Sequence, residues 1–171
     1  MVQLYLTLCN EYRIEMRNRF LNEIFKNESR KLSHYKVMTK EKYTEIIHEI
    51  EEGERMVKRT PQQYRRMKRF NVVNLGHTKR LVDRNEEGNP RYFLPADEIF
   101  DVIDDIHEAL GHGGRDKMLA EASKNFANVT KEMVTIYISM CEICNQKKIK
   151  KLGQLSVLNW RHPETIVPDN S

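Results

Sequence analysis

The sequence predicts a mainly α-helical protein with a small β-hairpin or three-stranded sheet in its middle and a three-helix segment towards its C-terminus. Three observations predict this fold class. Apolar residues recur at helical spacing over most of the 171 residues, the stretch from 71 to 94 changes to short β-like runs, and capping residues separate the helical stretches. A composition of 39% hydrophobic and 32% charged residues is typical of a globular protein with a well-hydrated surface.

The first of four predicted segments covers residues 1–37. Its apolar residues are spaced for one or two amphipathic helices, although their period is irregular. No motif within it indicates a function, so the segment stays unassigned.

The second segment, residues 38–95, is predicted to be a basic helical extension followed by the β-structure. Thr39 caps its first helix and Gly53 ends that helix, while Thr60 followed by Pro61 opens a second, short helix that runs to about residue 70. Three β-like runs then follow, at Val72-Val73, Leu81-Val82 and Tyr92-Phe93-Leu94.

The third segment, residues 96–151, is predicted to hold the three C-terminal helices. The first has an acidic N-terminal turn and stops at Gly111, the second runs from about 115 to 124, and the third begins at a Thr130 cap. Residues 152–171 contain two prolines and few periodic positions, which predicts a flexible tail.

The sequence also excludes some classes of protein. It contains no stretch of 18 or more apolar residues, and its N-terminus lacks the basic flank and long apolar run of a signal peptide. Cys141 and Cys144 form a C-x-x-C motif and Cys9 stands far from them, which does not make a disulfide framework. We therefore expect an intracellular protein in a reducing compartment, with no membrane partner.

Two pairs of potential metal ligands lie in the third segment. His107 and His112 flank the end of its first helix, and Cys141 and Cys144 follow its third helix. Zinc takes four nitrogen or sulfur ligands at tetrahedral corners, and two ligands a few residues apart can occupy two of those corners. Two thiolates balance the charge of Zn²⁺, and two neutral imidazoles close the site without a place for a catalytic water. The spacing predicts one structural zinc ion.

Each pair alone has a simpler interpretation. A histidine near a helix end is usually a surface residue, and a C-x-x-C motif can be a redox pair or two buried thiols. A thioredoxin-like pair needs a strand before the motif and a helix after it, whereas here a helix precedes it and a lysine run follows. The ligand order, with the histidines first, also differs from the ββα finger that reads three bases.

The residues around the ligands resemble a known family. The run from Ile106 to Leu119 contains the pattern G-H-x-G-x-x-K-x-L, and the run from Tyr137 to Lys148 contains C-x-x-C-x-x-K. In combination these patterns resemble the HHCC zinc-binding domain of retrotransposon and retroviral integrases. The resemblance covers roughly residues 38–150 and extends to domesticated integrases derived from transposable elements.

The resemblance implies a DNA-binding and multimerisation module that is not an enzyme. In integrases the zinc domain helps to hold multimers together and contacts DNA ends, while a separate ribonuclease-H-like core with three metal-binding carboxylates joins the strands. The residues after Lys151 leave no room for such a core. We therefore expect a nuclear protein with DNA as its partner, with self-association and without a small-molecule substrate. Residues 38–95 resemble an N-terminal extension that also grips DNA in some integrases.

Charge is strongly sorted along the chain, although the net charge is only +4. Residues 58–80 contain no carboxylate, residues 97–108 contain no lysine or arginine, and a second basic cluster follows the cysteines. Basic clusters bind phosphates by releasing counterions. The predicted nucleic-acid-binding residues are Arg65, Arg66, Lys68, Arg69, Lys147, Lys148, Lys150 and Lys151.

The basic clusters are also compatible with two roles that involve no DNA. A solvated helix face or a nuclear import signal has the same composition. Tyr64 and Phe70 share the apolar spacing of Met67, which predicts that both aromatic rings belong to the core and not to a stacking platform.

Three functions are therefore compatible with the sequence. The first is a non-catalytic, zinc-stabilised DNA-binding and multimerisation module. The second is a protein-interaction scaffold that has lost DNA binding. The third is the N-terminal fragment of a longer integrase whose catalytic core is encoded beyond residue 171.

Overall fold

The computed structural model describes the chain over residues 2–28, 37–76, 78–84 and 89–158, with side chains over 11–27, 37–76, 78–84 and 89–150. The side chains of Cys9 and Lys151, and residues 159–171 of the predicted tail, lie outside the described part. The described residues form seven helices and one two-stranded sheet. In chain order these are α1 Val2–Glu28, α2 Lys40–Arg55, α3 Pro61–Arg69, β1 Phe70–Leu75, β2 Thr78–Asp83, α4 Ala96–Ala109, α5 Arg115–Ala122, α6 Lys131–Met140 and α7 Glu142–Leu158. The prediction of a mainly helical fold with a small β-structure is confirmed.

The sequence predicts either a β-hairpin or a three-stranded sheet, and the structure contains the hairpin. Strands β1 and β2 pair antiparallel, with Phe70 opposite Asp83 and Leu75 opposite Thr78. Tyr92, from the third β-like run, makes only isolated bridges, one to Val82 and one to Phe126. The third run therefore connects the hairpin to the C-terminal helices without extending the sheet.

Helix caps account for the starts of three helices. The hydroxyls of Thr39, Thr60 and Thr130 accept hydrogen bonds from backbone N–H groups one turn ahead, at 3.3, 3.2 and 3.4 Å. At Thr60 the Gln63 side chain accepts in return from the Thr60 N–H group, which completes a capping box. These three predicted starts are confirmed.

One predicted helix end and the predicted number of C-terminal helices need correction. Helix α2 continues past Gly53 to Arg55, and the glycine instead allows a close approach of α3, because a Cβ atom at Gly53 would lie 2.9 Å from Met67 Sδ. A fourth C-terminal helix, α7, begins at Glu142 and runs to Leu158, through the lysine cluster and into the predicted tail. Cys141 separates α6 from α7 by a single extended residue, too short a break to be visible in the sequence pattern.

The largest hydrophobic cluster joins α1 to the C-terminal helices. Phe20 on α1 is fully buried, and its ring lies 5.7 Å from that of Phe100 and 6.4 Å from that of Tyr137, between centroids. An ion pair supports the same contact, since Arg13 Nε lies 2.7 Å from Asp104 Oδ2. The N-terminal helix, which has no recognisable motif, is thus one wall of the core beneath the predicted zinc ligands.

A second, smaller cluster forms between α2, the hairpin and Phe93. Its buried members include Ile46, Ile50, Phe70 and Leu81. Tyr43 closes it from α2, because its hydroxyl accepts a hydrogen bond from the Leu81 N–H group and donates to the Phe93 carbonyl.

Buried hydrogen bonds hold the two clusters together. Asn128 is 2% exposed, and its side chain accepts from the Leu94 N–H group at 2.9 Å and donates to the Leu94 carbonyl at 2.8 Å. The Ala96 N–H group donates to the Met38 carbonyl at 2.7 Å. The connection between the clusters is therefore specified by polar groups as well as by apolar contact.

Replacing Asn128 with alanine is expected to lower the free energy of unfolding by about 2 to 4 kcal/mol, because the N–H and C=O groups of Leu94 would both lose a buried partner. Urea unfolding of the zinc-loaded full chain measures the change. Asn74→Ala removes an exposed amide and serves as the control, with an expected change of about 0.5 kcal/mol or less. Equal midpoints for the two variants would show that the Asn128 amide does not join the clusters.

Candidate metal centre

The two histidines are placed by the end of α4 and by the turn that follows it. His107 lies in the last turn of α4 and is 1% exposed. Gly111 and His112 both have left-handed backbone conformations, with φ of 58° and 61°. Glycine adopts this region freely, and histidine is one of the few other residues enriched there. The turn thereby brings the His112 ring back onto that of His107, with 4.7 Å between ring centroids.

The two cysteines are placed by the junction of α6 and α7. Cys141 is the extended residue after α6, and Cys144 lies in the first turn of α7. Both are buried. Both thiols face the histidines.

The four donor atoms form a compact group. His107 Nε2 lies 3.0 Å from His112 Nδ1 and 3.4 Å from Cys144 Sγ, while His112 Nδ1 lies 3.5 Å from Cys141 Sγ. All four atoms lie within 4.8 Å of one another. Tetrahedral zinc with ordinary bond lengths would separate two nitrogens by about 3.3 Å, a nitrogen and a sulfur by about 3.6 Å, and two sulfurs by about 3.8 Å. The donor set fits one zinc ion, as predicted.

The surroundings shift the pKa values of two of the ligands in opposite directions. Burial, together with the nearby His112, lowers the pKa of His107 and favours the neutral imidazole that a metal requires. Burial, together with the adjacent Cys141 thiol, raises the pKa of the Cys144 thiol, against the weaker effect of Lys147 and Lys148. Binding of zinc would therefore require Cys144 to lose its proton, which would couple metal affinity to proton release.

The sequence analysis assigned Met118 and Tyr137 only to the core, but both contact the metal centre. His107 Nδ1 lies 3.1 Å from the buried Met118 Sδ, and the Tyr137 ring packs edge-on against the imidazole at 5.1 Å between centroids. The Tyr137 hydroxyl donates to Asp104 Oδ1. Burial and the Asp104 carboxylate raise the pKa of Tyr137, which keeps this hydroxyl a donor. Together these contacts orient the His107 ring.

The predicted nucleic-acid-binding residues divide into exposed and buried positions. Arg65, Lys68 and Arg69 are exposed on α3, and Lys147, Lys148 and Lys150 are exposed on α7. Arg66 is 6% exposed, with its Nε 3.0 Å from Glu49 Oε2 on α2. Its burial against a carboxylate removes Arg66 from the set that could reach a phosphate.

The two aromatic residues predicted to be core also differ. Phe70 is 1% exposed, as predicted, and packs edge-on against Phe93. The prediction for Tyr64 is wrong, because its side chain is 65% exposed. Helix α3 turns Gln63 and Arg66 inward towards α2, which leaves Tyr64 on the outer side.

None of the helices in the described part of the chain has an apolar stretch long enough to cross a bilayer.

Comparison with known proteins agrees with the geometry. Residues 94–150 match the family described as integrase zinc binding domain. The chain is 36% identical over 134 residues to KRAB-A domain-containing protein 2 of Homo sapiens, an alignment that covers 77% of this chain and 27% of that protein. The chain thus spans about a quarter of the length of this relative. No solved structure matches the chain. Residues 94–150 therefore match the integrase zinc-binding domain family, and within them His107, His112, Cys141 and Cys144 are positioned to bind one zinc ion.

Proposed function

We propose that this chain is a zinc-stabilised DNA-binding and self-associating module of a transposon-derived, integrase-like nuclear protein, and that it performs no catalysis itself. The observation that carries the proposal is the attachment of exposed basic helix faces to an integrase-type zinc-binding domain. Lysine and arginine side chains on a helix face release counterions when they meet phosphates, which makes affinity dependent on salt and largely independent of sequence.

The metal centre supports this use of α7. Cys144 lies in the first turn of α7, and the exposed Lys147, Lys148 and Lys150 follow within about two turns. A metal ion bound to Cys144 would therefore hold the start of the helix that presents these lysines. On α3, Arg65 and Lys68 are three positions apart and lie on neighbouring parts of one helix face.

Self-association is supported by apolar residues exposed on α1. Ile14 is 59% and Phe25 is 39% exposed, and eleven positions make about three helical turns, so the two side chains lie on one side of the helix. A second copy of the chain could cover them. This feature also favours the second candidate function, a scaffold that associates with proteins and does not bind DNA.

Binding of a duplex DNA fragment is expected to weaken steeply with added salt. Fluorescence anisotropy at several salt concentrations gives the slope of log K against log salt, which changes by about 0.9 for each phosphate neutralised. The double variants Arg65→Gln with Lys68→Gln, and Lys147→Gln with Lys148→Gln, are each expected to reduce the slope by up to about 2.

The matched control is Lys40→Gln with Lys124→Gln, which removes two exposed charges outside both clusters. This control is expected to leave the slope almost unchanged. Association that depends on protein concentration, without any affinity for DNA, would instead support the scaffold function. Salt-insensitive DNA binding would contradict the proposed role of the basic faces.

A further inference from the structure

A groove beside α3 combines three cations with an exposed aromatic ring. It has a volume of about 640 Å³ and is lined by Arg59, Tyr64, Met67, Lys68 and Arg84. This volume is within the range of roughly 300 to 1,000 Å³ in which proteins hold small ligands. Of these lining residues, only Lys68 is among the predicted nucleic-acid-binding residues. Arg59 precedes the helix and Arg84 follows β2, so the fold assembles the groove from three separate stretches of chain.

The two arginines are held in place by neutral partners. Arg59 Nε donates to the Gly53 carbonyl at 2.6 Å, and an Arg84 terminal nitrogen donates to the Met67 carbonyl at 2.6 Å. A guanidinium has five N–H donors, so most of them stay available to a ligand. Within the described part of the chain, no carboxylate lies within ion-pair distance of Arg59, Lys68 or Arg84. Among the described residues, the groove therefore combines three positioned cations with no paired carboxylate.

The exposed ring of Tyr64 favours a ligand that contains a planar base over a phosphate alone. Tyr64 is 65% exposed, and its ring is part of the wall that the cations share. A phosphate needs only the cations, whereas a planar base can also stack on an aromatic face. Bases within a duplex are already stacked on each other, so an unpaired base is the form that can use the ring.

We propose that this groove binds one unpaired nucleotide of a single-stranded nucleic acid, with its base stacked on Tyr64 and its phosphate bound by Arg59, Lys68 and Arg84. The inference rests on the proposed DNA-binding function and adds a preference for unpaired segments. The four zinc ligands do not line this groove, which is formed by α3, the residue Arg59 before it and the residue Arg84 after β2.

The test measures the affinity of the zinc-loaded full chain for a labelled single-stranded oligodeoxythymidine and for a duplex of the same length. Tyr64→Leu is expected to weaken single-strand binding about tenfold while changing duplex binding by less than about twofold, because stacking of one base is lost. Tyr64→Phe keeps the aromatic face and is expected to bind like the wild type. Leu75→Ala, which shortens a 46% exposed apolar side chain on β1 outside the groove, is the control and should change neither affinity.

The experiment distinguishes failure of the proposed DNA-binding function from failure of the nucleotide groove. If the wild type has no salt-dependent affinity for either probe, the proposed function itself fails. If it binds both probes and Tyr64→Leu binds the single strand as tightly as the wild type, only the nucleotide groove is overturned. Circular dichroism of each variant confirms that helicity is unchanged.

Discussion

Removal of zinc is expected to unfold the segment from Pro95 to Lys150. Structural zinc contributes an apparent free energy of about 10 to 16 kcal/mol in small domains, which is comparable to or larger than the total stability of about 5 to 15 kcal/mol of an ordinary protein. The four ligands here connect α4, its following turn and the junction of α6 with α7. Without the metal, the folded segment would have to keep polar groups such as His107 and Cys144 buried with weaker partners, which disfavours the fold.

Metal analysis and circular dichroism measure this effect. Protein purified without added zinc should contain one zinc per chain, and titration with a strong chelator should reduce helicity in step with metal loss. Cys144→Ser is expected to reproduce the loss, whereas His48→Ala, at a 70% exposed histidine on α2, should keep the metal. Full helicity after complete removal of zinc would contradict a structural role for the site.

Replacing Phe20 with alanine is expected to lower the free energy of unfolding by about 3 to 5 kcal/mol, because the change removes a fully buried ring and leaves a cavity between α1, α4 and α6. Denaturant unfolding at a fixed free zinc concentration measures it, since bound metal shifts apparent stability. Phe25→Ala lies on the same helix at a 39% exposed position and is the matched control. A loss no larger than that of Phe25→Ala would show that α1 does not share the core.

The metal centre was predictable from the sequence because its ligands are local pairs. His107 and His112 surround one helix end, and Cys141 and Cys144 surround another, so spacing alone shows that each pair can share a metal. The capping threonines were predictable for the same reason, since their hydrogen bonds reach only one turn. Signals of this kind need no knowledge of tertiary structure.

The misassigned positions depend on tertiary partners. Arg66 is buried because Glu49 on α2 pairs with it. With Arg66 on the inner side of α3, Tyr64 lies on the outer side of the same helix. A buried charge without a partner would be unfavourable, so the sequence of α3 alone indicates that Arg66 is exposed. The partner lies 17 positions away on another helix, where local patterns carry no information.

Helix α1 shows the same limit. Met16, Phe20 and Ile24 recur every fourth residue and are all buried, yet Arg13 and Arg17 on the same helix reach carboxylates on α4. The mixture of apolar and paired charged contacts makes the hydrophobic period look irregular. Only the structure shows that α4 and α6 are the surfaces on which this helix packs.

The left-handed backbone at His112 limits which ligand exchanges the site would tolerate. Cysteine binds zinc at two other positions of this site, but it is not among the residues enriched at positive φ. Asparagine is enriched at positive φ but is a poor zinc ligand. Histidine meets both requirements, and His112 faces the other ligands through Nδ1, the ring nitrogen nearer the backbone. The four ligand positions are therefore not interchangeable, and the identity of the second one is constrained by chain geometry as much as by the metal.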